Sequence, residues 1–106
     1  MEMYEAVGDR NITVGFRTTP NNSVAVCNID RFPDYWWVSR VFVRNKYRRQ
    51  QLGSRCLERA IEIASNLDGP DSVVVAPGGY NTPYDVQCAF YAAHGFSGCG
   101  IMQRHV

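Results

Sequence analysis

The sequence has only two histidines, His94 and His105, eleven positions apart, and four cysteines, Cys27, Cys56, Cys88 and Cys99, spaced 29, 32 and 11 apart. No pair stands at the short spacing of a zinc ligand set, so no metal site is expected. No apolar run approaches the ~18–20 residues of a membrane span. The opening stretch, MEMYEAVGDR, is acidic where a secretion signal is basic and then apolar. These absences predict a soluble, cytoplasmic protein with no membrane partner. Cys56 and Cys88 fall within helix-like apolar patterns and read as buried thiols of a reducing compartment, although an even cysteine count also permits two disulfides. Repeats, low-complexity tracts and long linkers are missing too. The formal net charge is +1, so general affinity for nucleic acid is not implied.

What is present suits one domain covering residues 1–106, 45% of them hydrophobic and 12% aromatic. The first 43 residues read as strands. Ile12 to Thr18 alternates and is β-rich, the Pro- and Asn-containing stretch 18–23 reads as a turn, and Val24 to Ile29 completes a hairpin. Pro33 breaks the next segment. Tyr35 to Val43 (YWWVSRVFV) is dense enough in aromatic and branched residues to suit a central strand. A weaker strand signal lies near Met3 to Val7.

After Arg44 the period changes. Leu52, Cys56, Leu57, Ala60, Ile61, Ala64 and Leu67 follow helical spacing, and Asp68-Gly69-Pro70 stops the helix near Leu67. Ser72 to Ala76 is a short apolar strand. Thr82 reads as the N-cap of a second helix, with Pro83 at its first position and Asp85 placed as in a capping box. Val86, Ala89, Phe90 and Ala93 form its expected buried stripe, and Gly95 its stop. Phe96 to Val106 has room for one or two short strands. The order predicts an α/β (α+β) fold: a mixed central sheet with helices packed on it, antiparallel strands first and a βαβα unit after them.

Ten of the eleven basic residues are arginine, and seven of the eleven lie at positions 40–59, opposed there only by Glu58. The cluster occupies the loop after a strand and the start of the next helix, where free N–H groups and the helix dipole already favour anions. The forked guanidinium suits phosphate. A solvated face is the plain alternative. Another is single-strand nucleic-acid binding, with Trp36, Trp37 and Tyr47 as stacking groups, which the near-neutral charge opposes.

Two stretches make the reading specific. Arg48-Arg49-Gln50-Gln51-Leu52-Gly53, entered from Val41-Phe42-Val43, resembles the Arg/Gln-x-x-Gly-x-Gly/Ala loop of the GNAT N-acetyltransferase superfamily. Phe90-Tyr91-Ala92-Ala93-His94-Gly95-Phe96 resembles that family's second signature, a helix ending Phe/Leu-Tyr, three residues, Gly-Phe. Gln51 stands where the family has its first glycine. Tyr84 stands where many members carry an asparagine, with Asn81 near but out of register.

The resemblance implies a short GNAT-like domain that uses acetyl-coenzyme A, and no metal. It implies that strands 35–43 and 72–76 lie parallel and splay around the pantetheine arm. Val41, Phe42 and Val43 would face that arm, and Arg48, Arg49, Gln50, Gln51, Leu52, Gly53 and Ser54 would hold the pyrophosphate. A backbone N–H near Val43 would polarise the thioester carbonyl, a primary amine would attack directly, and Tyr91 would be the general acid. No Asp or Glu lies on either strand, which leaves Asp30, Asp34, Asp85 and His94 as candidate bases. The two N-terminal helices that usually wall the acceptor site are not expected here, since residues 8–35 read as hairpin. That implies an acceptor site open to a small molecule or a protein, or one completed by a second copy in a homodimer. Alternation puts Trp36 and Trp37 on opposite faces of their strand; both are expected to pack under helices, the alternative being that one lines the acceptor groove. The alternative function is a catalytically degenerate member that acts by binding a partner protein.

Overall fold

Alternation in the N-terminal half produces four strands that fold back on one another in sequence order. They are β1 (Glu2–Val7), β2 (Asn11–Thr19), β3 (Asn22–Arg31) and β4 (Trp36–Val43). After a 3-10 turn at Asn45–Tyr47 come α1 (Leu52–Ser65), β5 (Ser72–Val75), α2 (Tyr84–Ala93) and β6 (Met102–His105). This computed structural model describes residues 1–78 and 82–106. The six strands form one sheet in the order β1-β2-β3-β4-β5-β6. Neighbours are antiparallel except β4 and β5, which run parallel because α1 crosses between them.

Strand alternation sorts the sheet into two unlike faces. Ile12, Val14 and Phe16 of β2, Cys27 and Ile29 of β3, Trp36 and Val38 of β4, and Val73 and Val75 of β5 are all buried. They join Leu52, Cys56, Leu57, Ala60, Ile61 and Ala64 of α1 in a single core. The helical spacing read from the sequence is therefore the packed face of α1. The helix ends at Ser65, two residues before the expected Leu67, because its last turn tightens: Asn66 N–H bonds Ile63 O and Leu67 N–H bonds Ala64 O, each at 3.1 Å.

The opposite face carries no helix among the described residues. At its centre is a polar ladder: Asn11 Nδ2 donates to Asp30 Oδ1 at 2.6 Å, and Thr13 Oγ1 donates to Asn28 Oδ1 at 2.7 Å. Trp37 lies on this face, half-buried beside Tyr35, with ring centroids 6.4 Å apart. The expectation that both tryptophans pack under helices thus holds only for Trp36. The weak signal near Met3 to Val7 is a real strand, paired with β2 along its whole length. Gly8 to Arg10 joins the two as a turn, with Gly8 N–H bonded to Asn11 O at 2.8 Å. No helix intervenes there, as the hairpin reading of residues 8–35 expected.

The second helix departs from expectation at its start and along its face. Pro83 has φ −54 and ψ 146, an extended conformation, so it is the N-cap and Tyr84 the first helical residue; Thr82 makes no cap. Asp85 Oδ1 accepts only from the N–H of Val86 next to it, at 3.0 Å, so no capping box forms. Of the expected stripe only Phe90 is even half-buried; Val86, Ala89 and Ala93 are exposed. The reason is position. The helix belongs to the narrow end of the sheet, where β5 and β6 have four residues each, and its inner side borders a cavity instead of a wide sheet.

Candidate active site

The site begins with an irregularity in β4. Val38 pairs with Ile29 and Arg40 with Asn28, so Ser39 is an extra residue, a β-bulge. On the other edge, β4 pairs with β5 only at Trp36–Val73 and Trp37–Val74. Beyond Trp37 the two parallel strands separate. Backbone N–H groups alternate between the edges of a strand. Arg44 N–H goes to Val24 O on the β3 side, so the N–H of Val43 points into the gap.

A cavity of about 870 Å³ fills this gap. Its walls are β4 from Val38 to Val43, the start of α1, Val75 and Ala76 after the splay, and the inner side of α2. Every residue expected to contact the cofactor lines it except Gln50: Val41, Phe42, Val43, Arg48, Arg49, Gln51, Leu52, Gly53 and Ser54. Tyr91 lines it as well. Gln50 is exposed and is not among the lining residues. Val86, Gln87 and Phe90 of α2 also line the cavity and were missed. In the sequence they are ordinary helix residues, and only the seating of α2 beside the splay makes them walls.

The α1 end of the cavity is built for an anion. The first intrahelical bond runs from Arg55 N–H to Gln51 O at 3.0 Å, so the N–H groups of Leu52, Gly53 and Ser54 precede the helical ladder. No side chain caps them, and the first turn contains no acid. The positive end of the dipole therefore faces the cavity unneutralised. Arg48 and Arg49 line the same end, and among the described residues neither is in an ion pair. The basic cluster is smaller than its sequence suggests. Arg55 lies over the Phe16 ring at 4.7 Å, and Arg59 is paired with Glu5 and Glu62, so both serve the fold. Gly53 is where helix and strand meet most closely: a Cβ there would sit 3.3 Å from Val43 Cγ2 and 3.6 Å from Val41 Cγ1.

Gln51 occupies the first glycine position of the loop signature, and its backbone is left-handed, with φ 58 and ψ 25. A side chain in that region costs roughly 1–2 kcal/mol. Glycine relieves this cost but gives back ~0.5–1 kcal/mol through the flexibility of its unfolded state. Gln51→Gly is therefore expected to raise the melting temperature by about 2–6 °C, measured by calorimetry on the unliganded chain. A lowered melting temperature would mean that the Gln51 side chain makes contacts worth more than the strain.

At the other end, Tyr91 is held by the turn that ends α2. Gly95 has φ 83, which allows Phe96 N–H to bond Tyr91 O at 3.1 Å and Gly95 N–H to bond Ala92 O at 3.1 Å. This is a Schellman closure, and it folds the residue after the glycine back onto the helix. Phe96 accordingly packs edge-on against Tyr91 at 5.5 Å, and Phe90 does so from the other side at 5.1 Å. The spacing of the second signature, Tyr-x-x-x-Gly-Phe, is the spacing of this clamp. Burial first, then the Cys27 thiol, push the Tyr91 phenol up to about 12, so it keeps its proton. Its hydroxyl has no hydrogen-bond partner among the described residues.

None of the four candidate bases lines the cavity. Asp30 belongs to the polar ladder, Asp34 is exposed in the turn before β4, and Asp85 is exposed at the start of α2. His94 is engaged behind the lining: Nδ1 is 2.8 Å from Glu58 Oε1 and Nε2 is 3.0 Å from Ser54 Oγ. Burial pushes the Glu58 carboxyl up, but hydrogen bonds from His94 and Arg104 outweigh it and hold the group below the usual carboxylate range. Tyr84 is exposed and does not line the cavity, and Asn81 lies outside the described residues. Trp36 is fully buried and cannot stack on a base, which removes one of the three aromatics of the nucleic-acid reading. All four cysteines are free thiols. No helix of the described residues is long and apolar enough to cross a membrane, and none of their His, Cys, Asp and Glu side chains group as metal ligands.

No protein of curated function matches the chain in sequence. Solved structures match closely in shape. The ribosomal-protein-S18-alanine N-acetyltransferase of Escherichia coli superposes with a TM-score of 0.74 at 20% identity, over 94% of this chain and 72% of that one. The PaiA N-acetyltransferase of Thermoplasma acidophilum, solved in complex with coenzyme A, gives 0.70 at 15% identity, over 92% of this chain and 62% of that one. A GNAT family acetyltransferase of Elizabethkingia anophelis with acetyl-CoA bound gives 0.70 at 13% identity, over 92% and 77%. At such identities these neighbours speak for the fold. The family itself comes from the sequence, where a model described as "Acetyltransferase (GNAT) domain" matches residues 9–98. With that match across a splayed, anion-ready sheet, the chain belongs to the GNAT acetyltransferase family.

Proposed function

We propose that the chain moves an acetyl group from acetyl-coenzyme A to a primary amine by direct attack. One observation carries this reading. A single cavity joins the uncapped start of α1, with Arg48 and Arg49, to the clamped Tyr91 by way of the gap between β4 and β5. The residues fit the cofactor in chemistry and order. Leu52, Gly53 and Ser54 N–H groups with Arg48 and Arg49 take the diphosphate. The unpaired edge of β4 beyond Trp37 takes the pantetheine amides as an added strand would be taken. Acetyl-coenzyme A supplies the activated thioester.

A backbone N–H farther back on the free edge of β4, on the Tyr91 side of Val43 (which packs on Gly53 at the diphosphate end), donates to the carbonyl oxygen as charge grows on it, an effect of about 3 kcal/mol for one such donor. Tyr91 passes its proton to the departing sulfur. The proton shed by the amine returns to the phenol oxygen, so the tyrosine is regenerated. With no carboxylate or imidazole lining the cavity, the amine arrives neutral or loses its proton through water. The acceptor approaches from the sheet face that no helix covers, where there is room for a small amine or for a protein segment.

The test is binding followed by turnover. At a hundredfold excess over Kd, acetyl-coenzyme A stabilises by about 2.7 kcal/mol, and the melting temperature is expected to rise by roughly ten degrees or more. Free thiol should then be released in the presence of members of a panel of primary amines. No shift with either acetyl-coenzyme A or free coenzyme A defeats the proposal. A shift without thiol release on any amine, small or peptide, favours instead a member that keeps the cofactor and acts by binding a partner protein.

A further inference from the structure

We infer that His94 positions the Ser54 hydroxyl as a hydrogen-bond donor to the cofactor's diphosphate, so that binding the diphosphate draws a proton onto the His94 ring. The inference rests on the acyl-coenzyme A reading above and adds two residues from different helices to it.

Ser54 lines the cavity in the uncapped first turn of α1, and its Oγ is 3.0 Å from His94 Nε2. The other ring nitrogen, Nδ1, is 2.8 Å from Glu58 Oε1. Glu58 is ionised, and a carboxylate only accepts, so Nδ1 must carry a hydrogen. The state of Nε2 then follows from the charge on the ring. In the neutral ring Nε2 has only a lone pair, and it accepts the Ser54 O–H. The hydroxyl is then turned away from the cavity, and an anion there would meet only oxygen lone pairs. In the cationic ring Nε2–H donates to Ser54 Oγ, and the O–H is released to donate to the diphosphate. A diphosphate can therefore use Ser54 only when the ring is charged.

The surrounding charges say why the ligand tips the balance. From α1 the ring faces Ser54 and Glu58, and on its own helix it faces Phe90 at 4.9 Å between centroids. From β6, Arg104 Nη1 donates to Glu58 Oε1 at 2.8 Å and to the His94 carbonyl at 2.6 Å. Arg104 already balances Glu58, so a cationic ring leaves this cluster with an excess positive charge. A bound diphosphate supplies the missing counter-charge, as it does for Arg48 and Arg49 in the same cavity. Imidazole is the side chain that exchanges a proton in the range where this matters, pH 5 to 8.

The probe is dephospho-coenzyme A, which keeps the diphosphate but lacks the phosphate monoester that titrates near pH 6. Titration calorimetry of the full chain between pH 6 and 8, in buffers of different ionisation enthalpy, should show net proton uptake on binding. Affinity should fall by about 3–30-fold from pH 6 to pH 8, within the tenfold-per-unit limit of one linked proton. His94→Gln keeps an amide N–H that can donate to Ser54 and has no proton to gain, so it should bind with a flat pH profile. Ser54→Ala should bind more weakly and with a shallower pH slope, keeping only the direct attraction between ring and diphosphate. Pantetheine, which has no diphosphate, should bind the native chain with no pH dependence. Binding without proton uptake in the native chain, or an unchanged slope in His94→Gln, overturns the inference and leaves the acyl-coenzyme A reading standing. No binding of dephospho-coenzyme A at any pH overturns the inference alone; if coenzyme A and acetyl-coenzyme A also fail to bind, both are overturned.

Discussion

Ser54→Asp is expected to weaken coenzyme A binding by about a thousandfold while leaving the unliganded chain as stable as before or slightly more so. The two effects have opposite signs for one reason, the positive potential at the start of α1. No side chain caps that helix and no acid occupies its first turn. An aspartate at position 54 supplies the missing negative charge, and such a group near a helix start is worth about 0.3–1 kcal/mol. A carboxylate only accepts, so it can take a hydrogen bond from His94 Nε2 only when the ring carries its second proton. The same carboxylate would face the site proposed for the diphosphate, in the cavity that Ser54 lines. Two like charges about 4 Å apart repel by about 4 kcal/mol at the effective dielectric of a protein surface, which is close to three decades in Kd. Calorimetric titration with coenzyme A gives the first quantity and the melting temperature without ligand the second. Lost binding with a lowered melting temperature would mean that the variant is damaged as a fold. Retained binding would show that the loop and helix start do not hold the cofactor.

Tyr91→Phe is expected to lower kcat by about 100-fold or more, with Kd for acetyl-coenzyme A changed less than threefold. General acids contribute roughly 10²–10⁴ to such rates. The ring itself should stay where it is, because its position depends on Phe90, Phe96 and the Gly95 turn, none of which involves the hydroxyl. The hydroxyl also has no partner among the described residues, so its removal leaves no orphaned group and the melting temperature should not fall. The phenol's protonation sets the sign of the pH effect. Burial and the Cys27 thiol push it up to about 12, so the acid form persists as the solution is made alkaline. In the native chain kcat should therefore not decline through pH 10 on account of this group. A decline centred near 9, absent from the phenylalanine variant, would refute that protonation state. Equal kcat in the two proteins would remove Tyr91 from the chemistry.

Much of this site is legible in the chain because each half of it is local. The second signature is one helix end: a tyrosine, three residues, a glycine able to take φ 83, and a phenylalanine that the turn returns to the tyrosine. The loop signature is likewise one helix start. The departure at Gln51 was visible as a missing glycine, and the strain of a side chain on a left-handed backbone is its local consequence. Legibility failed where a residue's role depends on what comes to lie beside it. Val86 and Ala89 look like a buried stripe, yet they are exposed because α2 borders a cavity at the narrow end of the sheet. Both tryptophans were expected under helices, but the face that Trp37 occupies has no helix over it among the described residues. Arg55 and Arg59 look like members of the phosphate cluster, and Phe16 and Glu5, far away in sequence, claim them instead.

By itself, then, the sequence determined the strand and helix order, the packed face of α1 and the anion-ready loop, while Tyr91 entered through the family resemblance. The first three follow from periodicity and turn chemistry within about a dozen residues of chain. Only the tertiary structure decided that β4 and β5 part after Trp37, that the cavity so formed runs from Ser54 to Tyr91, and that His94 meets Glu58 across 36 positions. Those outcomes depend on how far apart two strands are held and on which helix ends are brought together. The packing of the whole sheet settles both, and no single segment does.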